Sequence, residues 1–387
     1  MDVFVLNTAV IDLRADAFEF VNSLVGPGGI KKCDIEKMPP YTQEDIKKWI
    51  DDDKATAGGP GNSAPLVARL GLHVGVGAML GAGSFGGFDI QGRSFYDILS
   101  SNGVDMSSII THPTLPTGTT YIYESTDAER GGIAYFPNAN DAFDFELFKR
   151  EVSLHHPRIV YYMYSGLSEN GDANEGKDLA DFIGWCRDQG CITIADSHTL
   201  CADPQSIINS GQSVEEYRLL VPLLDEVDIF FTSTDEARMI GNTIDGPSKW
   251  SHGSDEELIP GFLSYLHRRF AQQNERTRLF GVTVSTGAYA RLVAQDRTTT
   301  SQLFESRFTT GEVVDLVGAG DSFRAGLISY VARNVESFRD GTINIGEAVQ
   351  LGNLVASLFI KAPLNDRYSD ILSYEQLLAR VRGSIEE

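Results

Sequence analysis

Glu312-Val-Val-Asp-Leu-Val-Gly-Ala-Gly-Asp-Ser-Phe-Arg-Ala-Gly-Leu-Ile328 joins a β-branched pair, Val313-Val314, to a glycine-rich turn and then to a helix. The helix follows because Phe323, Leu327, Ile328 and Val331 recur on one apolar stripe. Gly318 and Gly320 let the backbone turn sharply and leave N–H groups unobstructed. At a helix amino terminus the amides of Gly318, Ala319 and Gly320 can form an anion hole for phosphate oxygens. Asp321 stands at the same terminus, where a carboxylate can accept the proton of an attacking hydroxyl while those amides stabilise charge on a phosphoryl group. Asp is also among the best helix N-cap residues, and spacing alone leaves both readings open.

Upstream of this stretch, strands alternate with helices. Strands are expected at 159–164, 191–195, 227–231 and 279–284, with helices near 176–188, 214–224 and 258–270. Short apolar strands between polar helices imply βαβ units and a parallel sheet covered on both faces, with ligands bound beyond the carboxyl ends of the strands.

The amino-terminal half has a different character. Residues 3–13 read as one strand with Asp12 near its end, and residues 26–57, with Pro39-Pro40 and Asp51-Asp52-Asp53, read as an insertion containing a short helix at 44–50. Gly58-Gly-Pro-Gly-Asn62 then feeds a helix at 63–70 and a strand at 74–80, as a ligand cradle or as a tight connection. The β-rich runs 119–123 and 133–136 form an antiparallel hairpin across the polar stretch 127–132, which is either an active-site flap or an ordinary edge hairpin.

A chain of 387 residues, 42% of them hydrophobic, can bury a large core as one domain with a lid or as two domains. Its net charge of −22 argues against nucleic acid or an anionic membrane as partner. Backbone amides at a helix terminus can nonetheless hold phosphate locally. Four cysteines do not make a disulfide scaffold, no run reaches the length of a membrane span, and the amino terminus lacks the basic start of a signal peptide. The expected location is cytoplasmic. Cys191, His198 and Cys201 are close in sequence but fit no standard zinc spacing.

The segment ending in Asp321 resembles the carboxyl-terminal signature of the ribokinase family, the PfkB group of carbohydrate and nucleoside kinases, usually written Asp-Thr-x-Gly-Ala-Gly-Asp. Leu316 replaces its Thr. The resemblance runs through nearly the whole chain. Val5-Leu-Asn-Thr-Ala-Val-Ile-Asp12 is similar to the family's first strand, and Ala57-Gly58-Gly59-Pro60-Gly61-Asn62 to its Gly-Gly-x-x-x-Asn segment. Pro116-Thr-Gly118 and the hairpin after it match the family's lid. Thr283-Val-Ser-Thr-Gly287 looks like the strand and turn lining the nucleotide pocket, and Leu351-Gly-Asn353 like the helix start bordering adenine.

The resemblance implies a ribokinase-like three-layer α/β sandwich with a mostly parallel central sheet and a small β lid, formed mainly by 116–137 and the amino-terminal strand region, in a single domain over 1–387. It implies ATP as co-substrate, Asp321 as base, Gly318, Ala319 and Gly320 as anion hole, and Asp12, Gly58 and Asn62 on the acceptor. Thr286, Gly287 and Asn353 would line the nucleotide site. Phe231-Thr-Ser-Thr-Asp-Glu236 falls where the family has Asn-x-x-Glu, which orders Mg²⁺ and phosphate through water; Glu236 is kept and Ser233 replaces Asn. The alternative for Glu236 is a solvated helix residue.

Asp315 matches a position that helps hold K⁺ in potassium-dependent relatives, but Lys361-Ala-Pro-Leu-Asn-Asp366 lacks their glycine-rich companion loop, which counts against potassium activation. Arg324, one turn beyond Asp321, either faces an anion in the cleft or is an exposed surface residue. Lid-mediated dimerisation occurs in relatives. The implied acceptor is a sugar or polyol. A nucleoside is the alternative, on Thr126-Asp-Ala-Glu-Arg130, the run 227–231, and a slot from Tyr121, Tyr123, Tyr135 and Phe136. A non-catalytic binding protein on the same fold is a third reading, supported by Ser233 and Leu316 and opposed by the intact Gly-Ala-Gly-Asp.

Overall fold

The computed structural model describes residues 1–123, 131–271, 276–295, 297–309 and 311–386. Among these, seven parallel strands form the centre of a sheet in the order Ile109–His112, Val74–Gly83, Val3–Leu6, Ile159–Ser165, Ile192–Ser197, Ile229–Ser233 and Arg278–Val284. Gly287–Ala294 then adds antiparallel to the last of these and carries Gln302–Glu305 beyond it. Side chains alternate between the two faces of each strand, so Val3 and Val5 enter one apolar core while Phe4 and Leu6 enter the other. The first core is closed by Ala64–Arg69, Ile90–Ser101, Ala319–Arg333, Ile345–Lys361 and Tyr374–Glu386. The second is closed by Phe145–His155, Lys177–Asp188, Leu220–Glu226, Thr234–Ile244 and Asp255–Leu266. The result is the three-layer α/β sandwich that the strand–helix alternation implied.

A second sheet stands apart from the first, in the order Ile30–Lys32, Ile133–Tyr135, Gly118–Tyr123, Val10–Ala15 and Ala55–Gly58. The run 3–13, expected as one strand, is therefore two strands in different sheets. Asn7 (φ 72°) and Thr8 (φ 47°) take left-handed conformations that turn the chain from one sheet into the other. The turn is held where Asn7 Nδ2 donates to the Tyr162 hydroxyl at 2.8 Å and Ala9 N donates to Asn140 Oδ1 at 3.1 Å. Residues 26–57 supply the edge strand Ile30–Lys32 and the helix Gln43–Asp51, whose amino terminus is closed by a Thr42–Asp45 capping box. Phe18, Tyr41, Trp49 and Tyr121 pack edge to face against one another over this sheet. The stretch Thr126–Arg130 lies outside the described residues.

The opening segment also departs from expectation in part. Val313 and Val314 join no strand and are about half exposed, at 45% and 53%. The helix after them begins at Ala319 as expected, but it is buried on every side from Asp321 to Ala332 and carries no simple stripe. The cause is that it is sandwiched between the sheet and the helix Ile345–Lys361. Glycine permits that crossing, since a Cβ on Gly326 would lie 2.7 Å from Leu351 O and 2.8 Å from Gly352 Cα. Asn353 sits in the middle of Ile345–Lys361 and not at a helix start. No helix among the described residues is long and apolar enough to cross a membrane.

Candidate active site

The carboxyl ends of the parallel strands open into one cavity of about 860 Å³ beneath the second sheet. Asp12, Asn62, Glu236, Gly287, Gly318, Ala319, Gly320, Asp321 and Asn353 all line it, although they come from segments as far apart as residues 12 and 353. Gly58, Thr286 and Asp315 stand just outside the lining. Gly58 lies directly under the Asp12 carboxylate, where a Cβ would come within 2.6 Å of Oδ2. Thr286 is an exposed turn residue whose carbonyl accepts from Ser306 N at 2.7 Å.

Gly318 caps the helix at φ 85° without any side-chain bond, and Ser322 N makes the first helical bond, to Gly318 O at 2.9 Å. The amides of Gly320 and Asp321 thus stand ahead of the helical ladder at the cavity wall, where helix polarity favours an anion. Asp321 is not the N-cap. Its carboxylate accepts from Asn62 Nδ2 at 3.0 Å, from Arg324 Nη2 at 2.9 Å and from the Tyr164 hydroxyl, and its residue is only 4% exposed.

Arg324 is buried, which removes the surface reading. The same Nη2 that serves Asp321 also contacts Asp196 Oδ2 at 2.5 Å, and Nε donates to the Tyr161 hydroxyl at 2.7 Å. Asp196 further accepts from Tyr161 Oη and from Tyr164 N, both at 2.7 Å. Burial pushes the Asp196 carboxyl up to about 6 against the pull of Arg324. Burial also works against the charge on Arg324, but Asp196, Tyr161 and Asp321 more than offset it and hold the guanidinium protonated.

On the lid side, Asp12 accepts from Thr120 Oγ1 at 2.5 Å. Burial raises its carboxyl above the ordinary range despite Arg14, Thr120 and Arg367. Asp315 holds the turn before the anion hole by accepting from Val317 N at 2.9 Å through Oδ1. Its Oδ2 is shared by two buried guanidinium groups, Arg14 at 2.9 Å and Arg367 at 2.6 Å.

Glu236 is neither solvated nor idle. It closes a capping box with Ser233, accepting from Ser233 N at 2.9 Å and from Thr232 and Thr199 hydroxyls at 2.8 and 3.2 Å. Asn353 Nδ2 reaches Phe304 O at 3.4 Å. Of the four aromatic residues expected near a base slot, Tyr135 lines the cavity; Tyr123, at the end of the strand Gly118–Tyr123, does not, and Tyr121 and Phe136 pack on each other within the lid. Cys191 donates to Pro157 O at 3.2 Å, and no group of three metal-ligating side chains occurs among the described residues.

Sequence reasoning missed Tyr164, Asp196, Arg14 and Arg367. Tyr164 and Asp196 had one usable signal, since both fall at the carboxyl end of an expected or nearly expected parallel strand. Arg14 and Arg367 had none, because they meet only through the fold.

A family model described as pfkB family carbohydrate kinase matches residues 40–366. No curated protein matches the chain. Among solved structures the chain is similar to the fructokinase with bound ATP from Xylella fastidiosa, at 18% identity over 100% of this chain and 99% of the other, with a TM-score of 0.64. It is similar to the Anopheles gambiae adenosine kinase in complex with P1,P4-di(adenosine-5) tetraphosphate, at 17% identity over 93% and 96%, TM-score 0.67. The adenosine kinase of Sinorhizobium meliloti matches at 18% identity over 99% of both chains, TM-score 0.63. At these identities the structural likenesses establish the fold, while the family model, spanning most of the sequence, establishes that the chain belongs to the pfkB family of carbohydrate kinases.

Proposed function

We propose that this kinase transfers the γ-phosphate of ATP to a hydroxyl of a sugar or polyol, with Asp321 as general base. The observation that carries the proposal is the meeting, in one cavity, of the Asp321 carboxylate, the Gly318–Gly320 turn with the Gly320 and Asp321 amides ahead of the helical ladder, and the side chains of Asp12 and Asn62; of the expected anion-hole amides, that of Ala319 is bonded to Leu316 O at 3.1 Å. Asp12 and Asn62 orient the acceptor. As the new O–P bond forms, the hydroxyl proton passes to Asp321; the bond to the leaving ADP oxygen breaks, and the amides at the helix start offset charge on the moving phosphoryl group. Mg²⁺ brought with the polyphosphate would neutralise part of its charge, and Glu236 is the cavity carboxylate suited to order its water shell. Closure of the five-stranded lid excludes water that would otherwise hydrolyse ATP.

The test is ATP turnover with Mg²⁺ across sugars, polyols and nucleosides. Fastest turnover with a sugar or polyol is expected. Fastest turnover with a nucleoside would favour the second reading, which rests on the apolar lid residues Ile30 and Ile133 in the cavity wall. The absence of any acceptor-dependent turnover across the panel would favour a binding protein.

A monovalent cation does not fit beside Asp315, because Arg14 and Arg367 already supply two positive charges to Oδ2 and Val317 N occupies Oδ1. Turnover is therefore expected to be unchanged when KCl is replaced by tetramethylammonium chloride. A several-fold stimulation by K⁺ would contradict this.

A further inference from the structure

Asp321 shares its counter-ion. One nitrogen, Arg324 Nη2, lies 2.9 Å from Asp321 Oδ1 and 2.5 Å from Asp196 Oδ2, and both carboxylates are buried. Two carboxylates around one guanidinium leave one negative charge uncompensated. When Asp321 takes a proton, Arg324 and Asp196 remain as a neutral pair, so proton uptake removes a buried charge and creates none.

The opposite would hold if Arg324 served Asp321 alone. The two would form a closed ion pair, and protonating Asp321 would strand a buried cation, making the carboxylate a poor proton acceptor. We infer that Asp196 is a positioning residue for proton transfer to Asp321, taking over Arg324 as the substrate proton arrives. This rests on Asp321 being the base.

The surroundings are built for such an exchange. Asp196 is 0% exposed at the end of its strand, and it is fixed by Tyr161 Oη and by the amide of Tyr164. That amide is available because Tyr164 adopts φ 59°, a left-handed conformation costly for a bulky residue and tolerated where the surroundings enforce it. The same Tyr164 places its hydroxyl on Asp321, with its ring edge-on to His198 at 4.4 Å between centroids. The polar and titratable groups facing Asp321 are thus Asn62 from the turn Gly59–Asn62, Tyr161 and Tyr164 from one strand, Asp196 from the next, and Arg324 from its own helix. His198 stands behind Tyr164.

The signs follow from charge. Asp321 must be ionised to act, so kcat/KM falls on the acid side as the carboxylate pair takes up a proton, and that limb belongs to the pair. Asp196→Asn removes a neighbouring negative charge, favouring the ionised form of Asp321, and is expected to move the acid limb down by about one pH unit and lower kcat about tenfold. Arg324→Met removes the positive charge and should move the limb up by about as much. Arg324→Lys, which keeps the charge, should leave it near the wild-type position.

The experiment is the pH profile of kcat/KM for these variants with the fastest acceptor of the panel, or with water as acceptor, each variant's folding being checked by its melting temperature. Opposite displacements in Asp196→Asn and Arg324→Met support the inference, and a merely structural role would not produce them. Limbs that stay in place, or that move together, overturn it. If Arg324→Met does not fold, Asp196→Asn against Arg324→Lys decides, because only the first should shift. Should Asp321→Asn retain full activity, the base assignment itself fails; unmoved limbs with an inactive Asp321→Asn refute only the role of Asp196.

Discussion

Asp321→Asn is expected to lower acceptor-dependent turnover by about 10³-fold, near the middle of the range for losing a positioned general base. The fold should survive it. Asn keeps the shape of Asp, its amide oxygen can still accept from Asn62 Nδ2, and Arg324 keeps Asp196 as partner, so no buried cation is left alone. A melting temperature close to wild type alongside the lost turnover would separate chemistry from stability. Wild-type turnover in this variant would show that the hydroxyl proton goes elsewhere.

Gly318→Ala should be the second most damaging single change, through backbone geometry. Gly318 sits at φ 85°, where a Cβ costs about 1–2 kcal/mol. That Cβ would also lie 2.7–2.9 Å from the side-chain atoms of Asn62, which must then give way. Asn62 is the residue that donates to Asp321 at 3.0 Å, so one methyl group disturbs both the anion-hole turn and the base. Turnover is expected to fall about 10²-fold, as when an oxyanion-hole donor is lost, with a melting temperature lower by a few degrees. The check is kcat and KM measured together. An effect confined to KM would mean that the turn binds ground-state phosphate without favouring transfer.

Much of this architecture was legible from residues 159–328, where helix and strand periods alternate over short distances and local pattern determines local structure. Where the fold overrode pattern, a particular residue explains it. Residues 3–13 look like one strand because they are rich in β-branched and apolar types, and composition cannot distinguish one sheet from two. The change of sheet is made by Asn7 and Thr8, neither of which advertises a left-handed turn as a glycine would. Val313 and Val314 look like a strand on propensity alone, yet the chain there is drawn off by Val314 N and Asp315 N, both bonded to Ile360 O at the end of a distant helix.

The site divides in the same way. Asp321, Asn62 and Asp12 were singled out because each falls in a segment resembling a family motif, and the fold brings all three to one cavity. Arg324 was visible but ambiguous, since an Arg one turn past an Asp is compatible with surface or core. Its partner Asp196 is 128 residues earlier in the chain, and nothing in either segment names the other. Charge partners from a strand and a helix far apart in sequence meet only in the fold, here the end of Ile192–Ser197 beside the start of Ala319–Arg333. The same holds for Asp315, whose two guanidinium partners come from the lid strand and from residue 367.

The most direct test of phosphoryl transfer from ATP to an acceptor hydroxyl in this cavity is ³¹P NMR of the products of turnover with MgATP and the fastest acceptor of the panel. The prediction is a phosphate monoester on the acceptor, formed in equal amount with ADP. Inorganic phosphate as the sole new phosphorus species, at a rate indifferent to the acceptor, would contradict it.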